Sequence, residues 1–173
     1  MKSTLEDLKS RRSCRSYKPE QITDEELDAV LEAGTYAPTG RGKQSPILVA
    51  VQNPEMVKKL SRLNAGIMGN SGDPFYGAPT VIVVLSDRSV GTHLYDGSCV
   101  MANLLNAANA LGLGSCWIHR AREVFDSDEG KALLKEWGIE GDYEGIGNCI
   151  LGYKAREDAP AVPRKDGYII KIK

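Results

Sequence analysis

The sequence predicts one domain that combines helices with a sheet, an α/β or α+β sandwich. Its 173 residues suit a single hydrophobic core. Short apolar runs rich in β-branched residues, such as residues 81–85, alternate with segments that carry helix caps and helical periodicity. The sequence contains no internal repeat and no linker-like stretch, so we expect one domain over residues 1–173.

Cap signals predict three helices in the first third of the chain. Residues 3–6 and 23–26 have the spacing of capping boxes, and each box is expected to open a helix. We expect the first helix to end in the basic run 11–15 and the second to be closed by Gly34. The Asn-Pro pair at 53–54 predicts a third helix with proline in its first turn.

Residue periodicity predicts the later helices and the strands. Residues 95–111 are rich in Ala, Leu and Met and apolar nearly all round, which indicates a central, buried helix. A Ser-Asp cap opens a short amphipathic helix through residues 127–137. Apolar runs predict four strands, at residues 47–51, 81–85, 115–118 and 146–153.

Two further segments are less regular. Residues 66–79 contain four Gly and two Pro, which predicts a mobile surface loop. Residues 168–172 have the apolar composition of a strand, but this strand would stand alone near the C-terminus.

Composition and charge argue against several classes of function. The chain has 22 Lys and Arg against 23 Asp and Glu, a formal net charge of -1, so neither nucleic acid nor a membrane surface is an expected partner. No apolar run is long enough to span a bilayer, and the charged N-terminus lacks the apolar core of a signal peptide. We therefore expect a cytoplasmic protein.

The sequence offers little for metal or covalent chemistry. Four cysteines lie far apart and form no C-x-x-C pair: Cys14, Cys99, Cys116 and Cys149. We expect them to be free thiols. The chain has only two histidines, His93 and His119, so no metal site is predicted. Nucleophilic catalysis is disfavoured because Cys116 and His119 would face opposite sides of a strand.

Three segments concentrate hydrogen-bond donors. In residues 11–15 the arginines flank Ser13 and suit a phosphate dianion, although a basic helix end explains them equally well. Residues 38–46 form a polar loop that could present donors to a planar heterocycle. In residues 112–120 the glycines fall between a helix and a following strand, which is the reverse of a dinucleotide fingerprint, and a helix C-cap explains Gly112.

Five motifs follow one another along the chain. They are Arg-Arg-Ser-x-Arg-x-Tyr at 11–17, Ala-Pro-Thr with Gly-Arg and Gln-x-Pro at 37–46, Asp-Pro-Phe-Tyr-x-Ala-Pro at 73–79, Gly-Leu-Gly-Ser-x-Trp-Ile at 112–118, and Leu-Gly-Tyr at 151–153. In this order they resemble the FMN-dependent nitroreductase family over nearly the whole chain. The resemblance implies an α+β fold, a central and mostly antiparallel sheet flanked by helices, in an intertwined homodimer that exchanges its C-terminal strands.

The resemblance also implies a set of cofactor-binding residues. Matched by position, they are Arg11, Arg12, Ser13, Arg15, Pro38, Thr39, Gly40, Gln44, Asn64, Trp117, Ile118, His119, Arg164 and Lys165. Residues 11–15 and 164–165 would hold the ribityl chain and phosphate, with Arg12 acting mainly through its backbone. The loop at 38–40 would reach the flavin of the other subunit, Asn64 would face the flavin, and residues 117–119 would lie along the isoalloxazine and donate to N5.

The implied activity is transfer of electrons from NAD(P)H through FMN to a small organic acceptor, such as a nitroaromatic or a quinone, by a ping-pong mechanism. The flavin N5 would be the reactive centre, so the protein needs no catalytic side chain of its own. His119 stands where related short members often carry glycine, which bears on specificity. Two alternatives remain: an FMN-binding redox carrier or sensor, and a dehalogenating or flavin-modifying branch of the same fold.

Overall fold

The computed structural model describes residues 3–173 and, within them, six α-helices and one sheet of four strands. The helices are α1 (Thr4–Ser10), α2 (Asp24–Thr35), α3 (Pro54–Ile67), α4 (His93–Ala110), α5 (Ala121–Asp126) and α6 (Asp128–Glu136). The strands are β1 (Pro46–Val51), β2 (Thr80–Asp87), β3 (Gly114–Ile118) and β4 (Tyr143–Gly152).

The sheet has the strand order β1-β2-β4-β3, and every neighbouring pair is antiparallel. The predicted α+β class with an antiparallel sheet is therefore confirmed. Side chains of β2 alternate between two cores because successive residues of a strand face opposite sides. Val81, Val83 and Leu85 pack with α3, α5 and α6, whereas Ile82 and Val84 pack with α2 and α4. Helices thus cover both faces of the sheet.

A β-bulge interrupts the central pair of strands. Val84 is paired with Gly147 and Leu85 with Gly145, so Ile146 has no partner in the ladder. The Ile146 side chain lies against α4 at Gly97, where a Cβ atom would be only 2.5 Å from Ile146 Cγ1. A glycine is therefore required at this point of closest approach.

Both predicted capping boxes are present. Ser3 opens α1 and Thr23 opens α2, and in each case the side chain of the glutamate three residues later binds the cap N–H in return. Gly34, in contrast, does not close α2, which continues to Thr35. Gly34 is buried instead, and a Cβ there would lie 2.7 Å from Leu104 Cδ2 on α4, so the glycine permits close helix packing.

The irregular segments and the shortest helix depart from the sequence expectations in different ways. Residues 66–79 are not wholly a surface loop, because Phe75 and Ala78 within them are buried. Residues 168–172 form no strand within the single chain, where Ile169 and Ile170 are exposed, and their exchange with a partner stays a prediction. Helix α5 was not predicted, because it has six residues and no side chain caps its start.

Candidate functional site

The basic segment that follows α1 lies along the outer edge of β3. Ser13 forms an isolated parallel bridge with Ser115, and the N–H of Cys14 donates to the carbonyl of Ser115 at 2.9 Å. Further on, the N–H of Lys18 donates to the carbonyl of Tyr153 at 2.9 Å. The segment is thereby fixed to the sheet, and its side chains are held in place beside β3.

A cavity of about 660 Å³, which we call the basic cavity, opens above this segment. Five of the sequence-predicted residues line it: Arg11, Arg12, Ser13, Arg15 and Arg164. Residues 159–162 of the C-terminal segment form an apolar wall, and no carboxylate of the described chain lines the cavity. The structure therefore brings together residues that are about 150 positions apart, in a site suited to an anion.

The arginines of the basic cavity differ in their hydrogen bonding. Arg12 donates from Nη1 to the carbonyls of Lys9 and Arg11, both at 2.7 Å, and its buried Nε has no partner. Its guanidinium is thus engaged with the end of α1. Arg164 donates from Nε to the carbonyl of Val162 at 3.2 Å.

Three side chains in the basic cavity remain free to bind a ligand. Arg11 and Ser13 have no side-chain hydrogen bond or ion pair within residues 3–173. The guanidinium of Arg15 makes only a cation–π contact, with its Cζ atom 6.0 Å from the centre of the Tyr76 ring. Lys165, which was also expected here, does not line the cavity. Its ammonium lies 5.5 Å from the centre of the Tyr168 ring instead.

A second cavity of about 350 Å³, the strand-end cavity, adjoins the first, since Arg15 lines both. One wall is the end of β3 with the residues that follow it, and the other is the loop before β2. The lining residues include Trp117, Ile118, His119, Arg120, Asp73 and Tyr76. Three of these, at 117–119, were expected at the site, whereas Arg120 was not.

The end of β3 presents main-chain groups at this edge. The carbonyl of Ser115 accepts from Cys14 and therefore points away from β4. Because successive residues of an antiparallel strand direct their N–H and C=O groups to alternate sides, the groups of Trp117 point away from β4 as well. Trp117 thus offers a main-chain donor where it lines the strand-end cavity.

Asn64 lies in α3 behind the strand-end cavity. Its side chain is fully buried and lines neither cavity in the single chain, so its expected contact with a ligand stays a prediction. Its Nδ2 donates to the carbonyl of His119 at 2.7 Å, while its Oδ1 has no partner. Asn64 therefore positions the end of β3.

The predicted loop at 38–46 lies away from both the basic cavity and the strand-end cavity in the fold. Thr39 and Gln44 line a separate cavity of about 410 Å³ beside α2 and β1, and Gly40 lines another beside residues 90–92. Pro38 is exposed and lines neither the basic nor the strand-end cavity. Within one chain, then, this loop does not meet the other candidate residues.

Asp96 in the first turn of α4 holds this loop in place. It is buried, and its carboxylate accepts from the N–H of Gly40 at 2.9 Å, from Ser45 Oγ at 2.7 Å and from Thr92 Oγ1 at 3.0 Å. Burial raises the pKa of Asp96, but the hydrogen bonds from Gly40, Ser45 and Thr92 outweigh it and lower the pKa below its ordinary value. The sequence signal for this residue is a lone carboxylate inside an otherwise apolar helix pattern.

A separate group of charges joins β2, β4 and α5. Arg88 binds Glu144 at 3.0 Å and Asp126 at 2.6 Å, and Arg122 lies 3.4 Å from Glu144. His93 Nε2 is 3.2 Å from the same Glu144 carboxylate. Burial raises the pKa of Glu144, yet its hydrogen bonds with Arg88 and His93 lower it overall. Both carboxylates, Asp126 and Glu144, are bound by basic side chains of the same cluster, so we assign the cluster a structural role.

Other kinds of site find no support in the described part of the chain. All four cysteines are free thiols, and burial raises the pKa of Cys149 to about 12, which leaves it unreactive. Residues 3–173 contain no cluster of His, Cys, Asp and Glu that could hold a metal ion. Within the same range, every helix is too short or too polar to cross a membrane.

Comparisons with known proteins agree on one family. The sequence model of the nitroreductase family matches residues 8–153. A relative from Archaeoglobus fulgidus, provisionally named NADH dehydrogenase/NAD(P)H nitroreductase, is 31% identical over 163 residues, covering 91% of this chain and 88% of that protein. Two crystal structures of nitroreductases with bound FMN are similar over the whole of each chain. That from Bacteroides fragilis has a TM-score of 0.91 at 30% identity, and that from Desulfitobacterium hafniense 0.89 at 29%.

Proposed function

Because the chain belongs to the nitroreductase family, we propose that it binds FMN and passes electrons from NAD(P)H to a small organic acceptor. The observation that carries this proposal is the pair of adjoining cavities that share Arg15. One is lined by arginines and suits a phosphate, and the other is lined by an aromatic side chain and an open strand edge and suits a flat ring.

The donors of the basic cavity fit the phosphate of FMN. Arg11, Ser13 and Arg15 have side-chain donors with no other hydrogen-bonding partner in residues 3–173, and no described carboxylate competes with an anion there. Forked guanidinium donors bind phosphate oxygens in pairs, which makes such contacts strong. Arg164 adds a fourth positive charge from the C-terminal segment.

The strand-end cavity fits the ring of FMN. The N–H of Trp117 lies at an open edge, where a ring nitrogen or carbonyl can accept from it. Asn64 holds this edge in position through the carbonyl of His119. Bound FMN would itself supply the hydride and electron chemistry, and the chain's own residues bind it, orient it and leave one ring face open.

Several features support a homodimer as the working form. The loop at 38–46 lines neither the basic nor the strand-end cavity of its own chain, although it is one of the segments in which the sequence resembles the family. Large apolar side chains are also exposed near the C-terminus: Val162, Tyr168, Ile169, Ile170 and Ile172. A second copy would cover such side chains and bring its own loop to the cavities. Residues 168–172 then pair with the partner rather than with their own sheet.

The proposed reaction follows a ping-pong order. NAD(P)H and the acceptor, a nitroaromatic or a quinone, use the same open face of the ring in turn, so each must leave before the other binds. The first test is the absorbance of the purified protein after incubation with FMN and desalting. We expect retained flavin bands, and their absence would contradict the proposal.

Kinetics test the order of the reaction and the class of function. With a quinone acceptor, NADH oxidation at several fixed quinone concentrations should give parallel double-reciprocal lines. Intersecting lines would contradict the ping-pong order. Retained FMN without turnover on any acceptor would instead favour a redox carrier.

A further inference from the structure

Arg120 combines an unusual backbone with an unpaired charge at the strand-end cavity. It stands two residues after the end of β3 and has φ 74° and ψ 13°, in the left-handed region that residues other than glycine rarely adopt. Within residues 3–173 its guanidinium has no hydrogen bond and no ion pair. Arg120 is therefore an unmatched cation at the wall of the cavity.

Two carboxylates at and near α5, those of Asp126 and Glu144, are already bound to other arginines. Arg122 lies 3.4 Å from Glu144 and 3.7 Å from Asp126, and Arg88 binds the same two carboxylates at 3.0 and 2.6 Å. Two arginines thus account for these carboxylates, and Arg120 is left without a partner.

The cavity has little negative charge of its own. Asp73 is the one carboxylate among its described lining residues. Its oxygens accept from Ser61 Oγ at 2.6 Å and from the N–H groups of Phe75 and Gly77 at 2.9 and 2.7 Å. Since Arg15 lines the cavity as well, the positive charges outnumber the negative ones.

We propose that Arg120 stabilises the negative charge that FMN gains on reduction, an inference that rests on the proposed function. A hydride carries two electrons and one proton, so its transfer from NAD(P)H to neutral oxidised FMN releases NAD(P)⁺ and leaves one added negative charge on the cofactor. A cation beside the bound ring favours the reduced form over the oxidised one, because it attracts the added negative charge. Arg120 therefore raises the affinity for reduced FMN relative to oxidised FMN.

The test is a redox titration of the FMN-loaded protein against a reference dye. The midpoint potential of bound FMN, compared with that of free FMN, gives the ratio of the affinities for the reduced and oxidised cofactor. We expect Arg120→Gln to lower this ratio about tenfold, which for a two-electron couple is ~30 mV. Arg120→Lys keeps the charge and should retain most of the ratio.

Arg122→Gln is the matched control. It removes the same charge two residues away, outside the strand-end cavity, and should leave the ratio within about twofold of the wild type, since exposed charges are screened by solvent and salt. Arg120→Gly is a second variant for the case in which Arg120→Gln does not fold, because glycine adopts the left-handed conformation freely. It should show the same tenfold decrease.

The outcomes separate this inference from the proposed function. If wild-type protein retains no FMN, both are overturned. If FMN is retained but neither Arg120→Gln nor Arg120→Gly changes the affinity ratio, only the role of Arg120 is overturned. An equal loss in Arg120→Lys would also overturn it, because the effect would then not depend on charge.

Discussion

The carboxylate of Asp96 accepts the main-chain N–H of Gly40 at 2.9 Å, across 56 positions of sequence. This bond joins the first turn of α4 to the loop at residues 38–46. The same carboxylate binds Ser45 and Thr92, so one buried side chain fixes the loop at both of its ends. A buried anion with no cation bound to it depends entirely on such donors.

Replacing Asp96 should therefore destabilise the protein. Asp96→Ala leaves the donors at Gly40, Ser45 and Thr92 unmatched, and we expect a loss of about 2–4 kcal/mol in the free energy of unfolding. Urea unfolding followed by circular dichroism measures this. Asp28→Asn, an exposed carboxylate on α2, is the control and should change stability by less than ~0.5 kcal/mol. Equal effects of the two substitutions would contradict the role assigned to Asp96.

The same carboxylate predicts a dependence of stability on pH. The pKa of Asp96 is lower in the folded protein than its ordinary value, so the unfolded chain binds a proton more readily. The stabilisation is present at neutral pH, above the unfolded pKa of about 3.9, and is lost as pH falls through the folded pKa. Urea unfolding between pH 7 and pH 3 should show a smaller acid loss in Asp96→Asn than in the wild type, whereas parallel curves would argue against this carboxylate.

Arg15 is expected to be needed for cofactor retention. It lines both cavities, and its guanidinium forms no hydrogen bond or ion pair within the described chain. Loss of charge-assisted hydrogen bonds in Arg15→Ala should weaken FMN binding by about 10–100-fold. Fluorescence quenching of FMN on titration with protein measures the affinity. Lys165→Ala removes a charge outside both cavities and should have little effect, and equal weakening in the two variants would remove Arg15 from the phosphate site.

The exposed C-terminal residues are expected to stabilise a dimer. Ile170 and Ile172 are 81% and 91% exposed in the single chain, an arrangement that burial against a second copy would relieve. A chain that ends at residue 167 should form a weaker dimer. In sedimentation velocity it should dissociate into monomers at higher protein concentrations than the full chain does. Replacing the exposed Leu5 by Ser provides a comparison at the other end of the chain. A truncated protein that remains as tight a dimer would refute the exchanged segment.

Local signals were sufficient for much of the fold. The capping boxes at Ser3 and Thr23 involve residues three positions apart, and the strong apolar run of β2 needs little tertiary context. Burial of Phe75 was missed because glycine and proline content indicates irregular backbone, whether or not side chains pack beneath it. The pairing of residues 168–172 with a partner stays a prediction, because apolar composition does not specify which strand they pair with.

In the candidate site, too, some residues could be predicted from the sequence, whereas others depend on tertiary contacts. Arg11, Ser13, Arg15 and Arg164 could be grouped only through the resemblance to the family, and the structure places them in one cavity. Asn64 was expected to face a ligand but lies behind the strand end, since its amide binds a carbonyl that comes 55 positions later. Arg120 was missed because its significance depends on a left-handed backbone and on the absence of a partner, and neither leaves a pattern in the sequence.

The unpaired residue in β4 has a consequence for the position of α4. Glu144 and Cys149 are an odd number of positions apart, yet both face α4, and only the extra residue at 146 makes this possible. The side chain of Ile146 occupies the space left by Gly97, which directly follows Asp96. Helix α4 therefore cannot shift along its axis without a clash between Ile146 and a residue larger than glycine. The resulting position of α4 determines where the Asp96 carboxylate meets the loop at residue 40. An irregularity in the middle of the sheet thus determines the placement of a loop at its edge.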